Sequence, residues 1–213
     1  MTNQPASLVL QKRFLHVGCG PARKDHTTRV FAGDDWQEVR FDIAESARPD
    51  IIGTMTDMSA VASGAFDALY SSHNIEHVYA HEVPVALGEF RRVLNPDGYA
   101  VITCPDLQSV AALIAQDKLV EPAYQSPAGP IAPLDILYGY RPELAAGNHY
   151  MAHKCGFTRS VLHATLYAAG FASVATAARS APFFDLWALA AVRPMTNDEL
   201  GALALTQFPP ING

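Results

Sequence analysis

Cysteine is scarce in this chain, with three among 213 residues. Cys19, Cys104 and Cys155 are far apart and form no Cys-x-x-Cys pair. An odd, widely spaced set argues against the disulfide framework of small secreted domains. The first residues are polar and lack the charged-then-apolar order of a secretory signal. We therefore expect reduced thiols and a cytoplasmic protein.

Long apolar runs and basic clusters are also lacking. No apolar run approaches the ~20 residues that a membrane-spanning helix needs, so we expect no membrane partner. Lys and Arg number 15 against 21 Asp and Glu, which gives a net charge of −6. Binding to a nucleic-acid duplex requires clustered Lys and Arg to neutralise phosphates. We therefore expect no nucleic-acid partner.

What is present is a composition typical of a well-buried globular protein, with 49% hydrophobic and 17% charged residues. The length suits one domain with a sizeable core. We predict a single domain over residues 1–213, with a core at about 13–193 and an insertion at about 120–157. Residues 1–12 are expected to form a leader of little structure or a short covering helix. The sequence leaves both a monomer and a homodimer open.

Hydrophobic patterning predicts strands that alternate with helices and hence an α/β fold. The predicted strands are 13–17, 37–43, 50–55, 66–71, 99–104, 172–178 and 185–192, and the predicted helices are 83–94, 107–119, 158–169 and 197–205. The segment 21–32 is polar, so any helix there should be short or irregular. Asn95–Gly98 is a strong turn signal. The proline-punctuated segment from 120 to about 155 is too long for an ordinary connection, which favours a lid or a substrate-facing insertion.

The first strand leads into a turn with two glycines, Gly18 and Gly20, and the second strand ends close to Asp42. In a doubly wound sheet, the carboxyl ends of these strands bring a glycine turn and a carboxylate together, and the carboxylate can bind ribose hydroxyls. The pattern therefore predicts a nucleoside cofactor. The third glycine of the dinucleotide fingerprint is replaced by Arg23, whose bulk does not suit close packing of helix on strand.

Three segments together resemble class I S-adenosylmethionine-dependent methyltransferases of the small-molecule, type 11-like kind. The family's Gly-x-Gly-x-Gly motif reads Gly18-Cys19-Gly20-Pro21-Ala22 here, and Phe66–His77 resembles its fourth motif. Phe90–Gly98 resembles the Arg-Val-Leu-Lys-Pro-Gly-Gly turn that precedes the fifth strand, with Asn and Asp at two positions. The chain departs from the family at His16, where an acid is usual, and at Ala22.

The resemblance implies a Rossmann-like doubly wound sheet of seven strands, the last antiparallel, with an irregular insertion after the fifth strand. It implies S-adenosylmethionine as the cofactor and direct displacement of its methyl group by an oxygen or nitrogen of a small-molecule acceptor. A different class of function, a regulator or partner protein that binds the cofactor without catalysis, is the alternative that Ala22, His16 and the atypical insertion motivate.

The resemblance also assigns residues to the site. In the family, an acid after the second strand binds the ribose and a residue after the third strand contacts the adenine, which gives these roles to Asp42 and to Asp57 with Met58. Asp57 is also a candidate helix cap. The full set of cofactor-binding candidates is Val17, Gly18, Cys19, Gly20, Asp42, Ile43, Asp57, Met58, Ser72 and His73.

Histidines supply the candidate catalytic bases, because their pKa lies near neutrality and they can take a proton from an acceptor. The candidates are His73, His149 and His153, each of which could instead be a hydrogen-bonded structural histidine. A pocket shared with them could be lined by Tyr138, Tyr140 and Arg141.

The segment His73–His77 spells His-x-x-E-His, an inverted zinc-peptidase pattern. Because it follows a strand end and not a helix, a peptidase is disfavoured. Some methyltransferases that act on ribose 2′-hydroxyls or catechols carry Glu-x-x-Glu-His here and bind a divalent metal with a later histidine. In this chain His73, Glu76 and His77, with His149 or His153, would form such a set. We favour the simpler interpretation, in which Glu76 and His77 brace the loop and no metal is bound.

Overall fold

The computed structural model describes residues 11–210, so the expected leader lies, apart from its last two residues, outside the described part of the chain. The described strands are β1 Lys12–Val17, β2 Trp36–Asp42, β3 Ile51–Ile52, β4 Phe66–Ser72, β5 Leu94–Pro105, β6 Tyr124–Ser126, β7 Gly129–Ile131, β8 Ser173–Arg179 and β9 Asp185–Ala191. The described α-helices are α1 Val83–Val93, α2 Leu107–Ile114, α3 Pro133–Tyr138, α4 Arg141–Ala145, α5 Arg159–Ala168 and α6 Asn197–Gln207.

Seven strands form one sheet in the order β3-β2-β1-β4-β5-β9-β8. The first five are parallel to their neighbours, and β9 is antiparallel to both β5 and β8. This confirms the predicted Rossmann-like α/β fold with an antiparallel last strand. The strand order reverses between β1 and β4, and in open parallel sheets ligands bind in the crevice at such a point.

One face of the sheet is covered by helices in the way that the pattern predicts. Side chains point alternately to the two faces along each strand. Leu15, Leu69 and Ile102, from three neighbouring strands, point to this face and are completely buried. They pack against α1 and α5, whose inward residues Phe90 and Leu162 are equally buried. Removing one such side chain from water contributes roughly 1.5–3 kcal/mol, so this layer is a main source of stability.

The opposite face is covered by different means. Between β1 and β2 the chain forms only a short 3₁₀ turn, Lys24–His26, as the polar composition of 21–32 predicts. The cover is instead an aromatic cluster, in which Phe31 stacks on Phe14 at 4.6 Å between ring centroids and Trp36 packs edge-on to Phe31 at 5.0 Å. Helix α6 completes this layer with Ala204.

Helix α6 is fixed at both ends. At its start, Thr196 Oγ1 accepts from the backbone N–H of Glu199 at 3.2 Å, and Glu199 Oε2 accepts from the N–H of Thr196 at 2.8 Å, which is a capping box. At its end, the buried Gln207 donates to Tyr99 Oη at 2.7 Å and accepts from Thr28 Oγ1 at 2.6 Å. The chain after β9 is therefore part of the sheet's cover.

Three elements differ in length from the prediction. Strand β3 is two residues long, because Thr54 and Asp57 form a bridge that turns the chain away from the sheet. The turn expected at 95–98 is a bulge within β5, since Leu94 lies opposite Phe66 and the next pair is Tyr99 with Ala68. Helix α2 ends at Ile114 instead of 119.

The segment predicted to be irregular contains the β6–β7 hairpin, α3, α4 and a 3₁₀ turn, His149–Met151. Its own small core joins Val110, Ile131 and Ile136 to Phe184 of the β8–β9 turn. Within residues 11–210, no helix combines the length and the apolar character that crossing a membrane requires.

Candidate functional site

The glycine turn after β1 depends on two residues in the left-handed region, Gly18 with φ 64° and Gly20 with φ 50°. A Cβ at Gly18 would lie 2.0 Å from Asn74 Oδ1. The Asn74 amide donates to the carbonyl oxygens of Val17 at 3.0 Å and Ser72 at 2.9 Å. Asn74 therefore ties the turn to the end of β4, and only glycine leaves room for it.

Asp42 lies directly beside this turn, as the sequence predicts. Its Oδ2 accepts from the backbone N–H of Gly20 at 2.7 Å, and its Oδ1 accepts from the N–H of Ala44 at 2.8 Å. A carboxylate has about four acceptor positions, so two remain for a ligand. The side chain is mostly buried but lines the cleft described below.

Arg40 holds the same region from behind, and sequence reasoning missed it. Its guanidinium is buried and donates to the carbonyl oxygens of Ala22 at 3.2 Å, Arg48 at 2.6 Å and Ala47 at 3.1 Å, and also to that of Gly20. One cation thus joins the glycine turn to the segment after β2. The available signal was an arginine between the apolar residues Val39 and Phe41 near the end of β2.

His16 replaces the usual acid but does not line the cleft. Its side chain is buried, and Nδ1 donates to Glu38 Oε1 at 2.7 Å. Burial lowers the pKa of His16 below its ordinary value, against the opposing effect of Glu38. The residue belongs to the aromatic face of the sheet, where it packs edge-on to Tyr70 at 5.3 Å.

A cleft of about 780 Å³ opens at the carboxyl edge of β1, β2 and β4, within the size range of cofactor sites. Eight of the ten predicted cofactor-binding residues line it: Val17, Gly18, Cys19, Gly20, Asp42, Ile43, Ser72 and His73. Other walls come from segments that lie far apart along the chain, among them 44–47, 53–56, 77–78 and 148–154.

The other two predicted residues, Asp57 and Met58, are not at the cleft. Asp57 is exposed and accepts from the N–H of Ser59 at 3.1 Å, and hydrogen bonds from Ser59 lower its pKa. Met58 is completely buried in the core. The short β3 and the turn after it bring Met55 to the cleft in their place. No helix follows Asp57, so it is not a helix cap either.

Beside the cleft lies a smaller cavity of about 150 Å³, which we call the inner chamber. His73, His77 and Met151 line both spaces. The other lining residues of the inner chamber are Glu76, Pro105, Tyr124, Ile131, Asp135, Ile136, Tyr140, His153, Phe183 and Phe184. The segment from 120 to 157 thus supplies most of its outer wall.

The three histidines predicted as bases occupy different positions. His73 follows β4 with φ 52° and is about half exposed, with its Nδ1 3.4 Å from Glu76 Oε1. Partial desolvation lowers the pKa of His73, but the Glu76 carboxylate more than offsets this and raises it above the ordinary value. His153 lines the inner chamber, and burial lowers its pKa. His149 is exposed and lines neither space.

Of the three residues expected to share this pocket, only Tyr140 lines the inner chamber, where its hydroxyl donates to the carbonyl oxygen of Ala128 at 2.6 Å. Arg141 pairs with Asp135 at 2.7 Å and points outward, and Tyr138 is 62% exposed. The local pattern did not reveal which side of the insertion faces inward.

Glu76, His77 and His153 form a compact group in the inner chamber. One ligand atom from each lies within 4.8 Å of the others. Glu76 is 1% exposed, and neither carboxylate oxygen has a hydrogen-bond partner. His77 Nδ1 lies 3.2 Å from the carbonyl oxygen of Ala152, and His153 Nδ1 lies 2.7 Å from that of Ile136.

The cysteines have the environment of packing residues. Burial raises the pKa of Cys19 and of Cys155 to about 11 and that of Cys104 well above its ordinary value. Thiols with such pKa values are poor nucleophiles at neutral pH. We therefore do not assign a nucleophilic role to any of the three cysteines.

The chain matches one family model, described as a methyltransferase domain, over residues 15–102. This match covers β1 to β5, including the glycine turn and Asp42, and confirms the resemblance to class I S-adenosylmethionine-dependent methyltransferases. No curated protein matches the chain.

Solved structures share the fold at low sequence identity. A S-adenosylmethionine-dependent methyltransferase from Methanosarcina mazei is 14% identical with a TM-score of 0.58, covering 87% of this chain and 94% of that one. A 1,6-didemethyltoxoflavin-N1-methyltransferase from Burkholderia thailandensis, solved with 1,6-didemethyltoxoflavin and S-adenosylhomocysteine, is 14% identical with a TM-score of 0.53, covering 84% and 70%. A possible histamine N-methyltransferase from Thermotoga maritima is 16% identical with a TM-score of 0.54, covering 87% and 84%.

At these identities the structural likeness establishes the fold. Together with the family match, it supports S-adenosylmethionine as the cofactor and S-adenosylmethionine-dependent methylation as the general activity.

Proposed function

We propose that this chain, with a methyltransferase domain over residues 15–102, methylates an oxygen or nitrogen of a small-molecule acceptor. The observation that carries the proposal is the contact between Asp42 and the glycine turn at the mouth of the cleft, where Asp42 Oδ2 accepts from Gly20 N–H at 2.7 Å. This contact fixes a carboxylate beside the glycine turn, where the backbone can come close to a bound ligand.

Each wall of the cleft suits one part of S-adenosylmethionine. The free acceptor positions of Asp42 suit the ribose hydroxyls. Met55 and Thr56, which line the cleft, are assigned the adenine contact that the resemblance implied for Asp57 and Met58. The turn at Gly18–Gly20 and the end of β4 at Ser72 suit the methionine part. When bound, the cofactor supplies an electrophilic methyl group on its sulfonium.

The inner chamber is the proposed acceptor site. Its rings, Tyr124, Tyr140, Phe183 and Phe184, suit a planar apolar group. The Burkholderia enzyme, a 1,6-didemethyltoxoflavin-N1-methyltransferase, was solved with the small molecule 1,6-didemethyltoxoflavin bound. His73 lines both the chamber and the cleft, so it is the proposed base that takes the proton from the acceptor. His149 and His153 are not proposed for this step.

The chain needs no nucleophile for this reaction. Holding the acceptor and the cofactor in line converts a bimolecular displacement into a nearly unimolecular one. The residues of the chamber and the insertion would orient the acceptor and exclude water. The lack of a reactive cysteine is consistent with this mechanism.

The test is equilibrium binding of S-adenosylmethionine by calorimetry, comparing Asp42→Ala with the matched variant Asp57→Ala. We expect Asp42→Ala to weaken binding by about 10- to 100-fold, because it removes charge-assisted hydrogen bonds worth roughly 1.5–3 kcal/mol. Asp57→Ala should bind within about twofold of the unchanged protein, since hydrogen bonds to the ligand are not lost. No saturable binding by the unchanged protein would overturn the proposal.

A second experiment separates catalysis from binding alone. Purified protein with S-adenosylmethionine and a panel of planar hydroxy- and amino-compounds should release S-adenosylhomocysteine with at least one of them, and His73→Gln should slow that release. If the protein binds the cofactor but methylates no acceptor, the alternative of a non-catalytic cofactor-binding protein is favoured.

A further inference from the structure

Glu76 presents a problem that hydrogen bonds within the described protein do not solve. The carboxylate is 1% exposed and neither oxygen has a hydrogen-bond partner. Buried polar groups in folded proteins are nearly always paired, and an unpaired buried charge is strongly destabilising. The half-exposed His73 brings its Nδ1 to 3.4 Å from Oε1 without forming a hydrogen bond, so both carboxylate oxygens still need a partner, and the other titratable neighbours are His77 and His153.

The two histidines of the group are arranged as acceptors. The Nδ1–H of His77 donates to the Ala152 carbonyl and that of His153 to the Ile136 carbonyl. In a neutral imidazole, the other nitrogen, Nε2, is then a lone pair. These two nitrogens and the carboxylate are three acceptors on residues whose ligand atoms lie within 4.8 Å of one another. A cation satisfies all three at once.

We propose that Glu76, His77 and His153 bind one divalent transition-metal ion, and that the donor set favours Zn²⁺. Two imidazole nitrogens and one carboxylate form the ligand set of many catalytic zinc sites, which keep a further position open. The ligand atoms lie within 4.8 Å of one another. Zn²⁺ requires metal–ligand distances of about 2.0–2.2 Å, so the three side chains would close around the ion when it binds.

The backbone fixes the three ligands in the manner of a built site. The Lys154 N–H donates to the Glu76 carbonyl at 2.8 Å, and the Cys155 thiol donates to the Ile75 carbonyl at 3.3 Å. These bonds join the loop after β4 to the segment that carries His153. The carbonyl acceptors at Nδ1 orient both rings, as in metal sites where a second hydrogen bond fixes the ligand histidine.

The position of the group suggests what the ion would do. His77 lines both the cleft and the inner chamber, so the open position of the ion would face the proposed acceptor. A hydroxyl or amine bound there would lose its proton more readily, because a cation stabilises the deprotonated form. This role rests on the proposed function, whereas the metal site itself does not.

The experiment uses the full chain after treatment with a chelator. Calorimetric titration with Zn²⁺ should give one ion per chain, and Co²⁺ in its place should give the intense visible absorption of a tetrahedral site. Glu76→Gln and His153→Gln should each weaken Zn²⁺ binding by at least about 100-fold. His26→Gln, a substitution of an exposed histidine, should leave it unchanged. Circular dichroism checks that each variant is folded.

Two results would overturn the inference. One is the lack of stoichiometric Zn²⁺ or Co²⁺ binding by the unchanged protein, a measurement that does not depend on the folding of any variant. The other is equal affinity in His26→Gln and in a folded Glu76→Gln or His153→Gln. Measuring S-adenosylmethionine binding by the metal-free protein distinguishes failure of the metal site from failure of the methyltransferase proposal. If it persists while no metal binds, only the metal site fails, and if metal binds without cofactor binding, only the methyltransferase proposal fails.

Discussion

Gly18 lies in the left-handed region with its α-carbon against the side chain of Asn74, which bonds to the carbonyls of Val17 and Ser72. The glycine is therefore needed for a contact within the protein as well as for a turn. At the scale of the residue, the cofactor site depends on such internal contacts, which set the backbone before any ligand binds.

We predict that Gly18→Ala destabilises the protein and weakens cofactor binding. The new Cβ would lie 2.0 Å from Asn74 Oδ1 at a φ of 64°, so Asn74 must move and the backbone is strained. The expected loss in the free energy of unfolding is about 1–3 kcal/mol. Urea denaturation measures it.

Gly88→Ala is the control, because Gly88 lies in α1 with open space around it. It should stabilise by roughly 0.5–1 kcal/mol through helix propensity. Equal effects of the two substitutions would contradict the role given to Gly18.

The buried His16 predicts a pH dependence of stability. Burial lowers its pKa in the folded state, so the unfolded chain binds a proton there at a higher pH than the folded chain. The contribution of the uncharged His16 to the free energy of unfolding is complete above the unfolded-state pKa of about 6.5. It is lost as the pH falls below that value towards the lower pKa of the folded state.

We expect the urea midpoint of the unchanged protein to fall between pH 7.5 and pH 5, and His16→Gln to show a smaller fall. The difference between the two slopes isolates His16 from the other histidines. Parallel curves would show that His16 does not contribute.

At the scale of the element, helix α6 depends on its last residue as much as on its cap. Gln207 is buried and joins Tyr99 to Thr28 across the aromatic face. The hydrophobic period of α6 is weak, so the sequence indicated a helix but not that it covers the sheet. Gln207 is buried with its partners Tyr99 and Thr28, which lie far away along the chain, and the sequence around Gln207 does not indicate them.

We predict that Gln207→Ala lowers the free energy of unfolding by about 2–3 kcal/mol, because it leaves two buried hydroxyls without their partner. Thr206→Ala, at the exposed neighbouring position, should change it by less than about 0.5 kcal/mol. Thermal or urea unfolding compares the two. A small effect of Gln207→Ala would show that α6 is only loosely attached.

At the scale of the whole molecule, the cleft draws its walls from segments that are far apart along the chain. Ligand binding should therefore slow amide hydrogen exchange together at 18–20, 42–47, 53–56 and 148–154. The segment 57–59 and helix α6 lie away from the cleft, and exchange there should be unchanged. Hydrogen exchange with and without S-adenosylhomocysteine, read by mass spectrometry, tests this. Protection at 57–59 but not at 53–56 would restore the original assignment of Asp57 and Met58.

The sequence was sufficient for the sheet and for the position of Asp42 beside the glycine turn, because strand periodicity and the glycine turn are local signals. It was insufficient to place Asp57 and Met58, which lie away from the cleft, because the length of β3 is set by a turn between Thr54 and Asp57. Arg40 was missed for a related reason. Its four carbonyl partners are brought to it only by the folded loops.

The cover of the second sheet face has a consequence for biosynthesis. Phe14 and Tyr99 belong to the first half of the chain, while part of the surface that shields them arrives with residues 200–208. A ribosome releases the amino end first, so these rings lack part of their cover until residues 200–208 have been synthesised. We expect the nascent chain to form its native core on this face of the sheet only after residues 200–208 have left the exit tunnel.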